Sequence, residues 1–107
     1  MSISYSVLGQ ANPAAATTTT LYTSIATVVA STLVVCNQAN TAATYRVAVK
    51  PAADTLSTLH YIAYNTSISP YESVALTLGV TLGTAETVQV YASSSTLSFN
   101  LFGTEIL

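Results

Sequence analysis

Few side chains in this sequence are suited to chemistry, and their spacing keeps them apart. The one cysteine, Cys36, lies in the apolar run VVASTLVVCN at 28–37. A nucleophilic thiol needs an electropositive setting and a histidine partner. The one histidine, His60, stands on a different predicted strand, so Cys36 is expected to be an inert, buried small hydrophobe. His60, beside Tyr61, reads as a packed or surface residue, with pH sensing as the alternative. Metal sites need clustered His, Cys, Asp or Glu, whereas Asp54, Glu72, Glu86 and Glu105 are scattered singly. Gly79-Val80-Thr81-Leu82-Gly83 has the glycine spacing of a nucleophile elbow, but threonine replaces the serine and the segment reads as a continuing strand. There is no phosphate-binding or dinucleotide motif. The expectation is a protein that is not an enzyme, with no catalytic, cofactor-binding or metal-binding residue.

The tyrosines are more suggestive: Tyr5, Tyr22, Tyr45, Tyr61, Tyr64, Tyr71 and Tyr91. Tyrosine joins apolar area to a polar tip and is enriched at interfaces; ordinary strand packing is the competing reading. On a β-sandwich, tyrosines can also stack on sugars, which keeps a carbohydrate-binding module among the alternatives.

Charge sharpens the picture. Only 6% of the 107 residues are charged, against roughly 25% in ordinary proteins. With two basic residues, Arg46 and Lys50, the chain cannot neutralise many phosphates, so nucleic acid is not an expected partner. Low charge also removes the repulsion that keeps monomers apart, which favours a subunit that covers its surface with neighbours. Residues 21–36 are Thr/Ser-rich and shorter than the ~20 apolar residues of a membrane span, and MSISYSVLGQ lacks the positive and apolar regions of a secretory signal. No membrane association is expected. With one cysteine, no intrachain disulfide can form.

The elements that must position these residues are strands. Alternation with period 2 runs nearly throughout. Ile3, Tyr5 and Val7 alternate with serines; 9–19 reads as a loop; 21–23 suits a short strand. In 28–37, strict alternation places Val28, Val34 and Cys36 on one face and Val29, Leu33 and Val35 on the other. Strands follow at 43–50, which Pro51 ends, at 58–64, at 73–82, at 87–92 and at 96–102, with polar turns between them. The reading is all-β: a single β-sandwich, jelly-roll or immunoglobulin-like, of about 7–8 short antiparallel strands. The domain spans 1–107, with 1–23 as an N-terminal arm plus loop. The predicted core is Val47, Val49, Ile62, Leu76, Leu78, Val88, Val90, Leu97 and Phe99.

The segments AATYRVAVKPAA (42–53) and HYIAYNTSISPYESVALTLGVTLGTAETVQVYASSSTLSFNLFGTEI (60–106) resemble a group of small virion proteins of tailed bacteriophages, cyanophages among them. The shared pattern is an HY-x-x-Y strand, a Pro-containing turn, a strand like Ser73–Leu82, a short turn, a strand like Val88–Ser93, and a terminal strand ending Gly103-Thr104-Glu105. Val7-Leu8-Gly9-Gln10 followed by Leu21-Tyr22-Thr23 is also similar. Ser24-Ile25-Ala26-Thr27 departs from the pattern, standing where a Pro-containing turn is expected. The resemblance implies a structural component of the virion: a capsid decoration or cement protein on the head, or a tail, baseplate or fibre component. Its implied partners are itself, as a homo-oligomer such as a trimer, and other virion proteins such as the major capsid protein. Residues 1–23 are expected to contribute strongly to those contacts.

Overall fold

The computed structural model describes residues 2–107; Met1, part of the domain expected at 1–107, lies outside them. Eight strands carry the fold: β1 (Ile3–Ala11), β2 (Thr17–Thr23), β3 (Thr27–Asn37), β4 (Ala43–Lys50), β5 (Tyr61–Ile68), β6 (Ser73–Leu82), β7 (Thr87–Ala92) and β8 (Leu97–Ile106), with one 3-10 turn at Thr58–His60. They form two four-stranded antiparallel sheets, the first in the order β1-β8-β3-β6 and the second β2-β7-β4-β5. The molecule is therefore a β-sandwich. The pairing of first strand with last, second with seventh, third with sixth and fourth with fifth is that of a jelly roll, and it decides between the two sandwich types expected.

The segment expected as an arm plus loop is built into both sheets. β1 pairs with β8 along its length, β2 pairs with β7, and only residues 12–16 connect them. Leu8 and Leu21 each occupy a bulge, where two strand residues face one partner residue. Leu21 is buried and Leu8 packs against the core.

The core lies between the sheets. Val47, Val88, Val90, Leu97 and Phe99 of the predicted set are buried, joined by Leu21, Val28, Leu33, Tyr45, Ile68 and Leu101. Val49, Leu76 and Leu78 only pack against that core half-buried. β6 is an edge strand, and its inner row borders an open groove of about 400 Å³ lined by Ile62, Ala63, Leu76, Leu78 and Val80. Ile62 is a correction: it is 50% exposed. Between the pairs Val47–Ala63 and Ala48–Tyr61, β5 advances two residues against one in β4. Ile62 is the extra residue, and it borders the open groove at the sheet edge instead of being covered by the opposite sheet.

A second bulge corrects β3. Ala30 faces Gly103 and Thr32 faces Phe102, leaving Ser31 unpaired in the β8 register. The phase slips there, so Val28 and Ala30 share the inner face with Leu33, Val35 and Asn37. Val34 and Cys36 turn outward, and Cys36 is half-exposed rather than buried.

Turns are fastened by side chains. Asn37, 1% exposed, donates to the carbonyls of Thr41 (2.8 Å) and Ser69 (3.2 Å) and accepts from Ala39 N–H and Thr96 Oγ1 (both 3.1 Å), joining three turns at one end. At the other end Ser24 is buried. Its hydroxyl donates to the Gly83 carbonyl and its N–H to Glu86 O.

Candidate functional surfaces

His60 is buried in the 3-10 turn, with Nε2 3.1 Å from Asp54 Oδ2 and Nδ1 accepting the Ser57 N–H at 3.0 Å. Nδ1 accepts and is therefore unprotonated, so Nε2 carries the proton toward Asp54. Both ring nitrogens are thus engaged, leaving none to take a proton from a nucleophile. Lys50 Nζ donates to the carbonyls of Asp54 (2.8 Å) and Pro51 (3.2 Å), so this cluster latches the loop at 51–60. Cys36 lies between Ser98 and Ser73 on the outer face of the first sheet, away from His60. Among the described residues no three His, Cys, Asp or Glu side chains converge.

The acids serve turns and the sandwich interior. Glu72 accepts from Ser69 N–H (2.9 Å) and Glu86 from Gly83 N–H (2.7 Å). Glu105 pairs with Val28, whose side chain is buried, so it faces inward, and its Oε2 accepts the Tyr22 hydroxyl across the sandwich at 2.8 Å. Burial first, then the hydrogen bond and the charge of Glu105, push the Tyr22 hydroxyl up from 10.0 to about 12. Since the folded value lies above the unfolded one, the folded state holds this proton more tightly. The contribution is complete below pH 10 and is lost as pH rises toward about 12. Melting temperature followed through that window should fall, and fall less steeply in Tyr22→Phe. An equal fall in both proteins would remove Tyr22 as a cause.

Two outer faces remain, and they differ in character. On the first sheet, Ile3 pairs with Ile106, Tyr5 with Thr104 and Val7 with Phe102, all turned away from the core. Ile3 (50%), Tyr5 (81%) and Val7 (51%) are widely exposed, and Val29, Phe102 and Ile106 continue the patch. Among the described residues no charged side chain lies on this face: Arg46 and Lys50 belong to β4, Asp54, Glu72 and Glu86 to connections, and Glu105 faces inward.

On the second sheet, a cross-strand row runs Tyr91–Arg46–Tyr64. The Arg46 guanidinium carbon lies 4.1 Å from the Tyr91 ring centre and 4.2 Å from that of Tyr64. Its Nε donates to Asn65 Oδ1 at 2.8 Å, and Tyr61 meets Tyr64 edge-to-face at 5.0 Å. The β5 backbone makes this row possible. Besides the bulge at Ile62, it advances three residues between Thr66 and Ala63 while β4 advances two, and Asn65 takes a left-handed conformation (φ 48°). Asparagine tolerates that region better than most residues. Alternation alone shows Arg46 only as an outward charge on β4. It cannot bring Tyr61 and Tyr64 together on one face, so the row is not visible in the sequence.

No protein-family profile, curated protein or solved structure matches this chain.

Proposed function

We propose that this chain is a non-enzymatic structural subunit of a tailed-bacteriophage virion, a capsid decoration or cement protein that sits on the head surface and associates with itself, as a trimer, and with the major capsid protein. The observation that carries this reading is the apolar patch of Ile3, Tyr5, Val7, Phe102 and Ile106 on the outer face of the first sheet, where the described residues place no charged side chain. A patch of this kind marks an interaction surface. Its centre has the composition of a protein–protein interface core, depleted in charge and holding aromatic side chains. The likeness of 42–53 and 60–106 to small phage virion proteins supplies the particle. The jelly roll is compatible with it, since capsid domains use that fold, but fold alone assigns no function.

The β1 strand bears Ile3, Tyr5 and Val7, so on this reading residues 1–23 contribute through a sheet face rather than through a free arm. Light scattering coupled to size exclusion should give an oligomer at low and at high salt, because screening acts on charged pairs and this face has none. The double variant Tyr5→Glu/Val7→Glu should be a monomer with an unchanged melting temperature, as both side chains are exposed. A compact wild-type monomer at micromolar concentration in both buffers would refute self-association in solution. Imaging of the particle that carries this chain tests its place. Hundreds of copies on the head support decoration, copies on the tail would move the assignment to a tail, baseplate or fibre component, and no copies on the particle would overturn the virion reading.

A further inference from the structure

We propose that the outer face of the second sheet binds an acidic sugar, a pyranose carrying a carboxylate, with Arg46 receiving the carboxylate. This inference is independent of the virion reading, because it rests on the opposite face of the molecule.

The first support is the state of Arg46. Among the described residues every other charged side chain is already committed within the fold. Glu72 and Glu86 close turns, Glu105 receives Tyr22, Asp54 holds His60, and Lys50 is satisfied by two carbonyls. Arg46 uses only Nε, on Asn65, and among the described residues no carboxylate stands within ion-pairing distance of it. A guanidinium has five N–H donors, and those on the two Nη atoms form the fork that matches a carboxylate. Two rings and an amide oxygen fix the side chain before any ligand arrives, which lowers the ordering cost of binding.

The second support is the backbone. Two bulges and a left-handed asparagine in β5 are departures from regular strand geometry, and together they set Tyr64 and Asn65 around one cation. Bulges that re-aim side chains are over-represented beside functional sites. Bracing the sheet alone would need one ring against the arginine, already available from Tyr91 in the regular register.

The third support is the surroundings, which select a sugar over a protein carboxylate. Thr18 pairs with Tyr91 and Thr20 with Gln89, so the flanking outward positions carry hydroxyls and an amide. Tyr64 is 54% exposed, leaving ring surface open to a pyranose, and its neighbours offer hydrogen bonds for ring hydroxyls.

Calorimetric titration of the full chain at low salt tests the assignment. The probes are an oligogalacturonate of four units, the matching neutral oligogalactose, and a tetraglutamate peptide. The uronate should bind at least about tenfold more tightly than the neutral sugar, the difference expected of one charge-assisted bidentate pair. It should also bind more tightly than the peptide, and added salt should weaken it. Arg46→Gln should lose about tenfold or more. Arg46→Lys, which keeps the charge but not the fork, should also lose affinity while still unfolding in one cooperative transition; it tests the fork even if the glutamine variant folds poorly. Absence of uronate binding at millimolar concentration would overturn the proposal, as would equal binding by wild type and both variants. Equal affinity for uronate and tetraglutamate would overturn the sugar assignment.

Discussion

Phe99→Ala should lower the unfolding free energy by about 3–5 kcal/mol, the range for truncating a fully buried aromatic ring. Phe99 has no exposed surface, lies on the central strand β8, and is flanked in register by Ala11 of β1 and Val35 of β3. Small neighbours and a sheet tied on both sides leave little room for collapse into the space vacated. Domains of this size have only about 5–15 kcal/mol of stability in total, so the variant should sit near its limit at 37 °C. Leu78→Ala offers the internal comparison. Leu78 borders the groove and is only half-covered, so about 1–2 kcal/mol is expected. Urea denaturation with a common m-value measures both. Equal losses would mean that the groove is filled in solution and Leu78 is as buried as Phe99.

Gly103→Ala should cost a further large amount, about 3 kcal/mol, by the opposite route. Gly103 is buried on β8 between Ser6 of β1 and Ala30 of β3. A Cβ there would overlap the Val29 carbonyl oxygen and would stand 2.9 Å from Leu8 Cδ1 and 3.0 Å from Ala30 Cα. Two of these obstacles are backbone of a central strand, which cannot turn aside as a side chain can. Adding a methyl where none fits typically costs about 1–3 kcal/mol, and more when the neighbour is rigid. Gly79→Ala is the contrast, since no atom within 4 Å opposes its Cβ and its cost arises from a φ of +62° alone. Thermal and urea midpoints should place Gly103→Ala well below Gly79→Ala. The reverse order would show that β3 and β8 can separate at little cost.

The sandwich is legible in the sequence because alternation is local and strong. Residues 43–50, 73–82 and 87–92 coincide with β4, β6 and β7. What is illegible is where alternation pauses. The bulge at Ser31 arises in pairing with β8, remote in sequence, and those in β5 from its register against β4, and no signal in VVASTLVV or HYIAYN marks them. For that reason alternation places Cys36 inside and Ile62 in the core, and the fold does neither. The same limitation hides the arginine between its rings: Tyr64 and Tyr91 are far apart in sequence, and only the β5–β4–β7 order brings them to Arg46. The low charge, which favours self-association over nucleic-acid binding, is visible from composition, but the segregation of every charge away from one sheet face is not.

The nesting of first strand with last has a consequence for synthesis. During translation β1 and β2 emerge first, yet their partners β8 and β7 are made last. Until then the Ile3–Tyr5–Val7 strand lacks its one sheet neighbour, and β3 has β6 but still waits for β8. Such non-local pairing makes folding slow and leaves unpaired strand edges exposed on the ribosome. The innermost pair, β4 with β5, can close first, so the roll assembles from its middle outward and seals at Ser2 and Leu107, whose backbones exchange hydrogen bonds of 2.8 and 2.7 Å.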